Sequence, residues 1–317
     1  MVATELFRVL IVDDVHPVLL QRLGSLPQLV LDYQPEITPE AIATVLPAYN
    51  GLVIRTKTQL TGTLLASCSH LRFIARAGAG LDNIDEGAAQ QLGIKLYNAP
   101  EGNRQAVAEH VVGMLLSLFN NLREGDAAIR SGRWEREEHR GTELSGKTVG
   151  LIGYGNNGEA TARVLHGFGC EILAYDKYKR GFGGEGTKEV PLEALFERAD
   201  ILSLHLPLTK ESHGMVNAAF LGAFQKPLVL VNAARGEIVQ LEAVVAALAS
   251  GQLTGACLDV LENEKPQLWQ KDLMEQLFAH PRVLLSPHVA GWTKESYRKI
   301  SEVLADKLLL DFFEARS

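Results

Sequence analysis

The sequence has no excess of basic residues, no paired cysteines and no long apolar run. Its 31 Lys and Arg are outnumbered by 38 Asp and Glu, which leaves a formal net charge of −7 at pH 7. Proteins that bind nucleic acid or anionic lipid usually present a basic surface, so neither kind of partner is expected. Hydrophobic residues make up 46% of the chain and charged residues 22%, which is the balance of a folded globular protein.

The three cysteines, Cys68, Cys170 and Cys257, are far apart in the sequence and form no CxxC motif. A disulfide framework and a zinc-ribbon site are therefore not expected, and no metal site is predicted. The first residues lack a basic segment followed by an apolar one, so no signal peptide is expected. The most apolar helical stretch, around 107–119, is too short and too polar to span a bilayer. We predict a cytoplasmic protein.

Short apolar runs rich in β-branched residues alternate with helical patterns in two series. The predicted strands are Phe7–Val12, Leu29–Tyr33, Leu52–Ile54, Leu71–Ala75 and Ile94–Leu96, then Thr148–Ile152, Glu171–Tyr175, Ile201–Leu204, Leu228–Val231, Thr254–Leu258 and Val283–Leu285. Such alternation predicts parallel sheets covered by helices on both faces. The predicted fold class is therefore α/β, with two doubly wound parallel-sheet domains.

Between the two series, apolar residues from Ala106 to Leu118 recur at helical spacing and predict one helix of about five turns. A last helical pattern, 294–316, follows the final strand and is expected to pack on the first domain. We therefore predict that residues 1–98 and 291–317 form a flavodoxin-like substrate-binding domain. Residues 99–290 are predicted to form a Rossmann NAD-binding domain inserted into it.

A glycine motif, GYGNNG at 153–158, lies between a predicted strand and a helical pattern. The first glycine permits a tight turn, the second lets a pyrophosphate approach the backbone, and the third lets the helix pack closely on the strand. Asp176 ends the next strand, where a carboxylate accepts hydrogen bonds from ribose hydroxyls and repels a 2′-phosphate. NAD is therefore favoured over NADP, a preference that Lys177 and Lys179 lessen without reversing.

A second loop of the same series, SLHLPLT at 203–209, closes another predicted strand. Ligands of open α/β sheets lie beyond the carboxyl ends of the strands, so this loop is expected to cover the cofactor. The predicted cofactor-binding residues are Gly153, Gly155, Asn156, Asn157, Gly158, Asp176, His205, Pro207, Thr209 and Ala233.

Hydride transfer between an alcohol and a nicotinamide cofactor also needs a group that exchanges a proton with the alcohol oxygen. Histidine suits this role near neutral pH, and His288 follows the last predicted strand. Arg235 follows another strand, where a guanidinium can bind a carboxylate and polarise a carbonyl. Glu262 and Glu264 lie beyond a third strand, and either carboxylate is expected to orient the ring of His288.

These motifs resemble those of the D-isomer-specific 2-hydroxyacid dehydrogenase family along nearly the full chain. The matching segments are 153–158, NAARG at 232–236, LDV at 258–260 with the acids that follow it, and SPH at 286–288. The resemblance implies that Arg235, Glu264 and His288 are the catalytic residues. It also implies that both chain ends form the substrate domain and that two chains dimerise through the NAD-binding domain.

The resemblance favours one of the two acids as the partner of the histidine. The family's glutamate lies five residues after the aspartate that matches Asp259, so Glu264 is preferred to Glu262. In the family a proline directly follows that glutamate, whereas here Lys265 intervenes before Pro266.

Further segments resemble the members of the family that oxidise 3-phosphoglycerate. They are GLVIRT at 51–56, RAGAGLDNID at 76–85, NAPEGN at 98–103, GRWER at 132–136 and GTELSGK at 141–147. In this resemblance the loop at 76–80 holds the substrate carboxylate, and three arginines are candidate phosphate ligands because a guanidinium fork matches phosphate geometry. The predicted substrate-binding residues are Arg55, Arg76, Ala77, Gly78, Ala79, Gly80 and Arg136. The expected substrate is a small anion, 3-phosphoglycerate, oxidised in the first step of serine biosynthesis.

Three other functions stay open at this point. The first is the same chemistry on hydroxypyruvate, glyoxylate or a branched 2-oxo acid. The second is a non-catalytic protein that binds NAD as a sensor, which the presence of Arg235, Glu264 and His288 disfavours. The third is formate dehydrogenase, whose relatives carry glutamine at the position of the catalytic glutamate. One helical pattern follows Gly291, so the resemblance is to forms without a C-terminal regulatory domain, and the role of Trp292 stays undecided.

Overall fold

The computed structural model describes residues 6–184 and 186–313. The described residues form two compact units, the first drawn from Met1–Asn103 with Trp292–Ser317 and the second from Arg104–Gly291. The roles predicted for the two domains, substrate binding and NAD binding, stay predictions. Within the described ranges, no helix combines the length and the apolar character needed to cross a membrane.

A five-stranded parallel sheet forms the centre of the first unit. Its strands are β1 (Phe7–Ile11), β2 (Leu29–Tyr33), β3 (Gly51–Ile54), β4 (Phe73–Arg76) and β5 (Lys95–Tyr97). Its first helices are α1 (Pro17–Leu23), α2 (Pro39–Val45), α3 (Gly62–Ala66) and α4 (Glu86–Gln91). The strands lie in the order β2-β1-β3-β4-β5, with every pair parallel.

A seven-stranded parallel sheet forms the centre of the second unit. Its strands are β6 (Thr148–Ile152), β7 (Glu171–Tyr175), β8 (Thr187–Glu189), β9 (Ile201–Leu204), β10 (Leu228–Asn232), β11 (Leu253–Leu258) and β12 (Val283–Leu285). The helices around it are α5 (Pro100–Phe119), α6 (Leu122–Arg130), α7 (Asn156–His166), α8 (Leu192–Arg198), α9 (Ala218–Gly222), α10 (Leu241–Ser250) and α11 (Lys271–Ala279). The strand order is β12-β11-β10-β9-β6-β7-β8.

The order of the second sheet reverses beside β6, which has β9 on one side and β7 on the other. Ligands of such sheets bind beyond the carboxyl ends of the strands at this reversal. Strands β6, β9 and β10 are buried at every residue, as expected where helices cover both faces. The predicted fold class, α/β with two doubly wound parallel sheets, is confirmed.

One strand and the start of one helix differ from the sequence prediction. Strand β8 was missed because its residues, Thr-Lys-Glu, contain no apolar run, and it lies at the edge of the sheet. Helix α7 begins at Asn156, inside the glycine motif that was expected to precede it, because Gly155 already serves as its N-cap.

The helix predicted between the two series corresponds to α5, which has 20 residues and ends at Phe119. Asn121 adopts a left-handed backbone conformation with φ +51°, which ends the helical path. The guanidinium of Arg282 donates to Leu118 O at 2.7 Å and to Asn121 Oδ1 at 2.8 Å. A second helix, α6, follows in a segment where the sequence had predicted none.

The C-terminal segment of the first unit consists of α12 (Lys294–Lys307) and a π-helical turn, Leu308–Phe313. The last residues of the predicted helix, 314–316, lie outside the described part of the chain. Leu304, Leu308 and Phe312 are buried in the core of the first unit, and the ring of Phe312 meets that of Phe73 edge to face at 4.9 Å. This packing joins the end of the chain to the first sheet.

Candidate active site

Two of the three motif glycines allow main-chain segments to lie closer together than a side chain would permit. Gly153 has φ +91°, and a Cβ there would collide with the carbonyl oxygen of His205. A Cβ on Gly158 would collide with the carbonyl oxygen of Gly153. The glycines therefore fit the β6–α7 turn against the end of β9 and set α7 tightly on that turn.

The second motif glycine differs, because a Cβ on Gly155 would enter open space. Gly155 is the N-cap of α7 and makes no side-chain capping bond, so no side chain blocks the first-turn N–H groups. Within the described residues, the Oδ1 atom of Asn157 is buried without a hydrogen-bond partner. An open cradle at a helix N-terminus fits the pyrophosphate of a dinucleotide.

The Asp176 carboxylate at the end of β7 is bound by three backbone N–H groups. Tyr154 N donates to Oδ2 at 2.8 Å, and Tyr178 N and Lys179 N each donate to Oδ1 at 2.9 Å. Burial raises the pKa of Asp176, but these bonds outweigh that effect and leave the pKa below its ordinary value. Asp176 is therefore a fixed carboxylate beside the glycine turn.

The loop after β9 is held by internal hydrogen bonds. His205 N donates to Ile152 O at 2.8 Å, and the ring Nε2 lies 3.0 Å from Ser203 Oγ. Ser212 Oγ donates to Pro207 O at 2.7 Å, and Thr209 N donates to Ser212 Oγ at 2.8 Å. Burial lowers the pKa of His205 to about 4, so its ring is neutral at neutral pH.

Arg235 lies in a turn that Asn232 holds at the end of β10. Asn232 Nδ2 donates to Arg235 O at 2.9 Å, and Ala234 N donates to Asn232 Oδ1 at 3.1 Å. Ala233 lies inside this turn. The next residue, Gly236, packs so closely that a Cβ would collide with the carbonyl oxygen of Leu261. The Arg235 turn therefore touches the loop that follows β11.

That loop carries Glu264, whose Oε1 lies 2.6 Å from Nδ1 of His288. Both side chains are about half exposed, at 56% for Glu264 and 46% for His288. Of the two acids that the sequence left open, the structure thus places Glu264 against the histidine ring. Arg235, Glu264 and His288 all follow parallel strands of one sheet, as the sequence predicted.

The loop of His288 is organised by Asp259, which the sequence had marked only as part of a motif. Its carboxylate is fully buried and accepts hydrogen bonds from Val289 N and Ala290 N, each at 2.9 Å. Its carbonyl oxygen accepts from His288 N at 2.7 Å. His288 itself has φ +54°, a left-handed conformation that is uncommon outside glycine. A charged residue directly after a buried strand was the available signal for this role.

In the first unit, the loop at 76–80 follows β4. Ala77 N donates to Ile54 O at 2.7 Å and Gly78 N to Arg76 O at 2.8 Å. The guanidinium of Arg76 lies over Gly78, where a Cβ would collide with it. The amides of Ala79 and Gly80 are therefore better candidates for binding an anion than those of Ala77 and Gly78. The sequence had proposed all residues of this loop as ligands.

Arg55, at the end of β3, is stacked on an aromatic ring. Its Cζ lies 4.0 Å from the ring centroid of Trp292, and its backbone N donates to Asp13 Oδ2 at 2.6 Å. Burial lowers the pKa of Arg55, while the charges of Asp13 and Asp14 oppose that shift. Trp292, undecided from sequence, thus packs against a predicted substrate ligand.

Arg136 is exposed and lies in the second unit between α6 and β6. It lines a cavity of about 240 Å³ together with Ile129, Trp134 and His139. The residues that line this cavity include none of Arg235, Glu264 or His288. The structure therefore does not bring Arg136 to those three residues.

The comparisons with known proteins agree on one family. The sequence profile of the D-isomer specific 2-hydroxyacid dehydrogenase NAD-binding domain matches residues 112–290. Hydroxypyruvate reductase of Thermotoga maritima is 34% identical over 269 residues, which are 85% of this chain and 87% of that protein.

D-3-phosphoglycerate dehydrogenase of Synechocystis is 32% identical over 303 residues, or 95% of this chain. The chain spans only 53% of that protein, about half its length. Among solved structures, a glyoxylate reductase from Paecilomyes thermophila superposes with a TM-score of 0.86 at 25% identity, covering 98% of this chain and 96% of that one.

Proposed function

The chain belongs to the D-isomer-specific 2-hydroxyacid dehydrogenase family, and we propose that it is an NAD-dependent dehydrogenase of small D-2-hydroxy acids. The observation that carries the proposal is the 2.6 Å contact between His288 Nδ1 and Glu264 Oε1, beside the Arg235 turn. A carboxylate on one ring nitrogen fixes the tautomer and the orientation of the ring. This is the arrangement that reversible proton exchange with a substrate oxygen requires.

Because Glu264 occupies Nδ1, Nε2 of His288 is the atom that exchanges the proton. In oxidation His288 accepts the proton of the substrate hydroxyl, and in reduction it returns a proton to the carbonyl oxygen. Arg235 binds the substrate carboxylate and polarises the carbonyl through its guanidinium. In the first unit, the amides of Ala79 and Gly80 are the proposed ligands for an anionic group.

The cofactor is NAD, held over the cradle at 153–158, with Asp176, Ala233 and the loop at 205–209 as further contacts. When bound, NAD accepts the hydride from the substrate carbon, and NADH donates it in the reverse direction. The open space at Gly155 and the uncapped start of α7 support the pyrophosphate position. The Asp176 carboxylate supports NAD over NADP because it repels a 2′-phosphate.

We propose 3-phosphoglycerate as the first candidate substrate, with Arg55 and Arg76 as phosphate ligands. Arg136 lines a separate cavity and stays a sequence prediction only. A specific observation favours a second candidate, hydroxypyruvate or glyoxylate. The hydroxypyruvate reductase of Thermotoga maritima is 34% identical to this chain over 269 residues, a likeness as great as that to the Synechocystis phosphoglycerate dehydrogenase, which is 32% identical over 303 residues. In addition, Trp292 covers one face of Arg55, and Asp13 and Asp14 offset part of its charge.

The two candidates are separated by NADH oxidation with 3-phosphohydroxypyruvate, hydroxypyruvate, glyoxylate and 2-oxoisocaproate as substrates. We expect the highest kcat/KM with 3-phosphohydroxypyruvate. A clear preference for an unphosphorylated compound rejects the first candidate and supports the second. NADH binding without turnover of any of the four compounds contradicts the dehydrogenase itself. NADPH in place of NADH, at equal concentration, tests the cofactor preference.

Two further proposals concern the oligomeric state and the cellular location of the enzyme. We propose that two chains dimerise through the NAD-binding unit, which light scattering tests directly. We also propose a reducing, cytoplasmic location, which the three free and buried cysteines support.

A further inference from the structure

A histidine on α5 touches the residues that hold the His288 loop. His110 Nε2 lies 2.9 Å from Ser286 Oγ and 3.5 Å from Asp259 Oδ1. Ser286 Oγ donates its single proton to Asp259 Oδ1 at 2.5 Å. Ser286 Oγ must therefore accept from His110, which assigns a proton to Nε2 of that ring. His110 thus donates into the group that surrounds the Asp259 carboxylate.

The same carboxylate fixes the backbone on the C-terminal side of His288. Asp259 accepts Val289 N and Ala290 N through its side chain and His288 N through its carbonyl oxygen. These bonds hold His288 at φ +54°, a conformation that persists only where its surroundings impose it. A continuous set of hydrogen bonds therefore runs from α5 to both sides of the histidine that pairs with Glu264.

The Asp259 side chain is fully buried, and Ser286 and two backbone amides are neutral donors. A buried carboxylate depends on every donor it has, because the lost hydration is replaced only by those bonds. His110 is the one donor of this group that comes from a helix rather than from the loop itself. It therefore ties the loop to the rigid core that α5 forms with β6 and β12.

We propose that His110 is a positioning residue for the reaction, acting through Ser286 and Asp259 on the placement of the His288 ring. This inference rests on the proposed function, because it assigns His110 to the proton exchange proposed for His288. His110 need not touch substrate or cofactor in this role. It sets the backbone geometry from which His288 reaches the substrate oxygen.

The test compares His110→Ala with His110→Gln, whose amide N–H can replace the Nε2 donor. We expect His110→Ala to lower kcat about tenfold to a hundredfold, the effect of a small misplacement of a reacting group. The KM of the substrate and the Kd of NADH should change less than about twofold, since the binding residues are untouched. His110→Gln should recover most of the lost kcat.

The matched control is His280→Ala. His280 is also half-buried in the second unit, and its Nδ1 accepts one bond, from Arg282 N at 3.2 Å. We expect its kcat to equal that of the wild type. A kcat of His110→Ala within twofold of the wild type overturns the proposal. So does a loss in His280→Ala as large as in His110→Ala, or a His110→Gln variant as slow as His110→Ala.

A second route keeps the inference testable if His110→Ala folds poorly. His110→Phe removes the donor but keeps a ring, Ser286→Ala removes the link between His110 and Asp259, and the double variant of the two should be no slower than the slower single variant. Independent, additive losses would contradict a shared pathway.

The failure of the inference can be told apart from the failure of the proposed function. If the wild type turns over none of the four 2-oxo acids, the function fails, but hydrogen exchange of the Val289 and Ala290 amides still tests the positioning. We expect faster exchange at both amides in His110→Ala and near-wild-type exchange in His280→Ala. Unchanged exchange at both amides in His110→Ala overturns the inference.

Discussion

The ring and the backbone of His288 are held by different groups. Glu264 binds the ring at 2.6 Å, whereas Asp259 binds the backbone before and after it. A proton-exchanging residue works only if its ring nitrogen stays within about 3 Å of the substrate oxygen, so both restraints matter. Residue-scale changes at the pair should therefore act on turnover rather than on folding.

The two neighbouring acids provide a matched pair of variants for the first prediction. Glu264→Gln removes the carboxylate that contacts Nδ1 of His288, and we expect kcat to fall at least about tenfold, within the range of general acid–base catalysis. Glu262→Gln should leave kcat within about twofold, because of these two acids it is Glu264 whose carboxylate contacts the His288 ring. Steady-state rates with the best of the four 2-oxo acids measure both. Equal losses in the two variants would contradict the assignment.

The contact between the Arg235 turn and the Glu264 loop depends on a missing side chain. Gly236→Ala would press a Cβ into the carbonyl oxygen of Leu261. Neither backbone can yield without moving a candidate catalytic residue, so we expect a loss of about 2 kcal/mol or more in the free energy of unfolding, together with a lower kcat. Urea titration and steady-state kinetics measure the two effects.

Gly113→Ala is the control for this second prediction. Gly113 lies within α5, and a Cβ there would meet nothing within 4 Å. Removing a helical glycine should stabilise the chain by up to about 1 kcal/mol. A Gly236→Ala protein as stable as Gly113→Ala would show that the two loops are not locked together.

For single residues, the sequence predicted which residues follow the strand ends better than it predicted what the loop arginines contact. Arg235, Glu264 and His288 lie where strand ends bring them together, because parallel strands share one ligand edge. Arg136 and Arg55 were chosen because they lie in segments that resemble the family and because a guanidinium matches phosphate geometry. Neither reason determines which surface a loop residue faces. The stacking of Arg55 on Trp292 depends on contacts between the two ends of the chain, which no local pattern reports.

Among the elements, the junction of α5 and α6 is held by the side chain of Arg282, which makes two hydrogen bonds to it. Arg282 donates to Leu118 O near the end of α5 and to the side-chain Oδ1 of Asn121, the left-handed residue between the two helices. Arg282→Met should remove both bonds while keeping the apolar stem. We expect the free energy of unfolding to fall by about 1.5–3 kcal/mol, the usual contribution of hydrogen bonds to a charged group.

Arg298→Met is the control for this third prediction. Arg298 pairs with Glu302 on the exposed face of α12, with Arg298 63% exposed. An exposed pair at this spacing contributes only about 0.3–0.5 kcal/mol. If thermal or urea unfolding gives the same loss for both arginines, Arg282 does not hold the helix junction.

The buried strands were predictable from the sequence, whereas strand β8, helix α6 and the end of α5 were not. A strand buried on both faces must be apolar along its length, as β6 and β9 are, so its sequence is unmistakable. Strand β8 consists only of polar and charged residues, and helix α6 carries charged residues at four of its nine positions. The end of α5 is set by Arg282, which lies about 160 residues away in the sequence and so lies beyond any local window.

For the whole molecule, acid should lower the free energy of unfolding through two groups that act over different pH ranges. The Glu171 carboxylate accepts bonds from Lys188 and Arg198, which lower its pKa to about 2 from 4.5. Burial lowers the pKa of His205 to about 4 from 6.5. In both cases the unfolded chain binds the proton more readily than the folded chain, so stability rises with pH across each window.

The signs of the two groups therefore agree, but their windows differ. The contribution of His205 is fully present above pH 6.5 and is lost as the pH falls towards 4. That of Glu171 is present above pH 4.5 and is lost as the pH falls towards 2. Because one pKa unit corresponds to about 1.4 kcal/mol, His205 can account for at most about 3 kcal/mol between pH 6.5 and 4.

The fourth prediction assigns each window to one residue. His205→Gln should flatten the decline of the free energy of unfolding between pH 6.5 and 4, since it removes the buried group that must stay neutral. Glu171→Gln should leave that window unchanged and reduce the decline below pH 4.5. Urea titrations at half-unit pH steps measure both curves. A His205→Gln protein that loses stability between pH 6.5 and 4 as steeply as the wild type would contradict the assignment. Acid would then act on other groups in this range, and burial would not lower the pKa of His205.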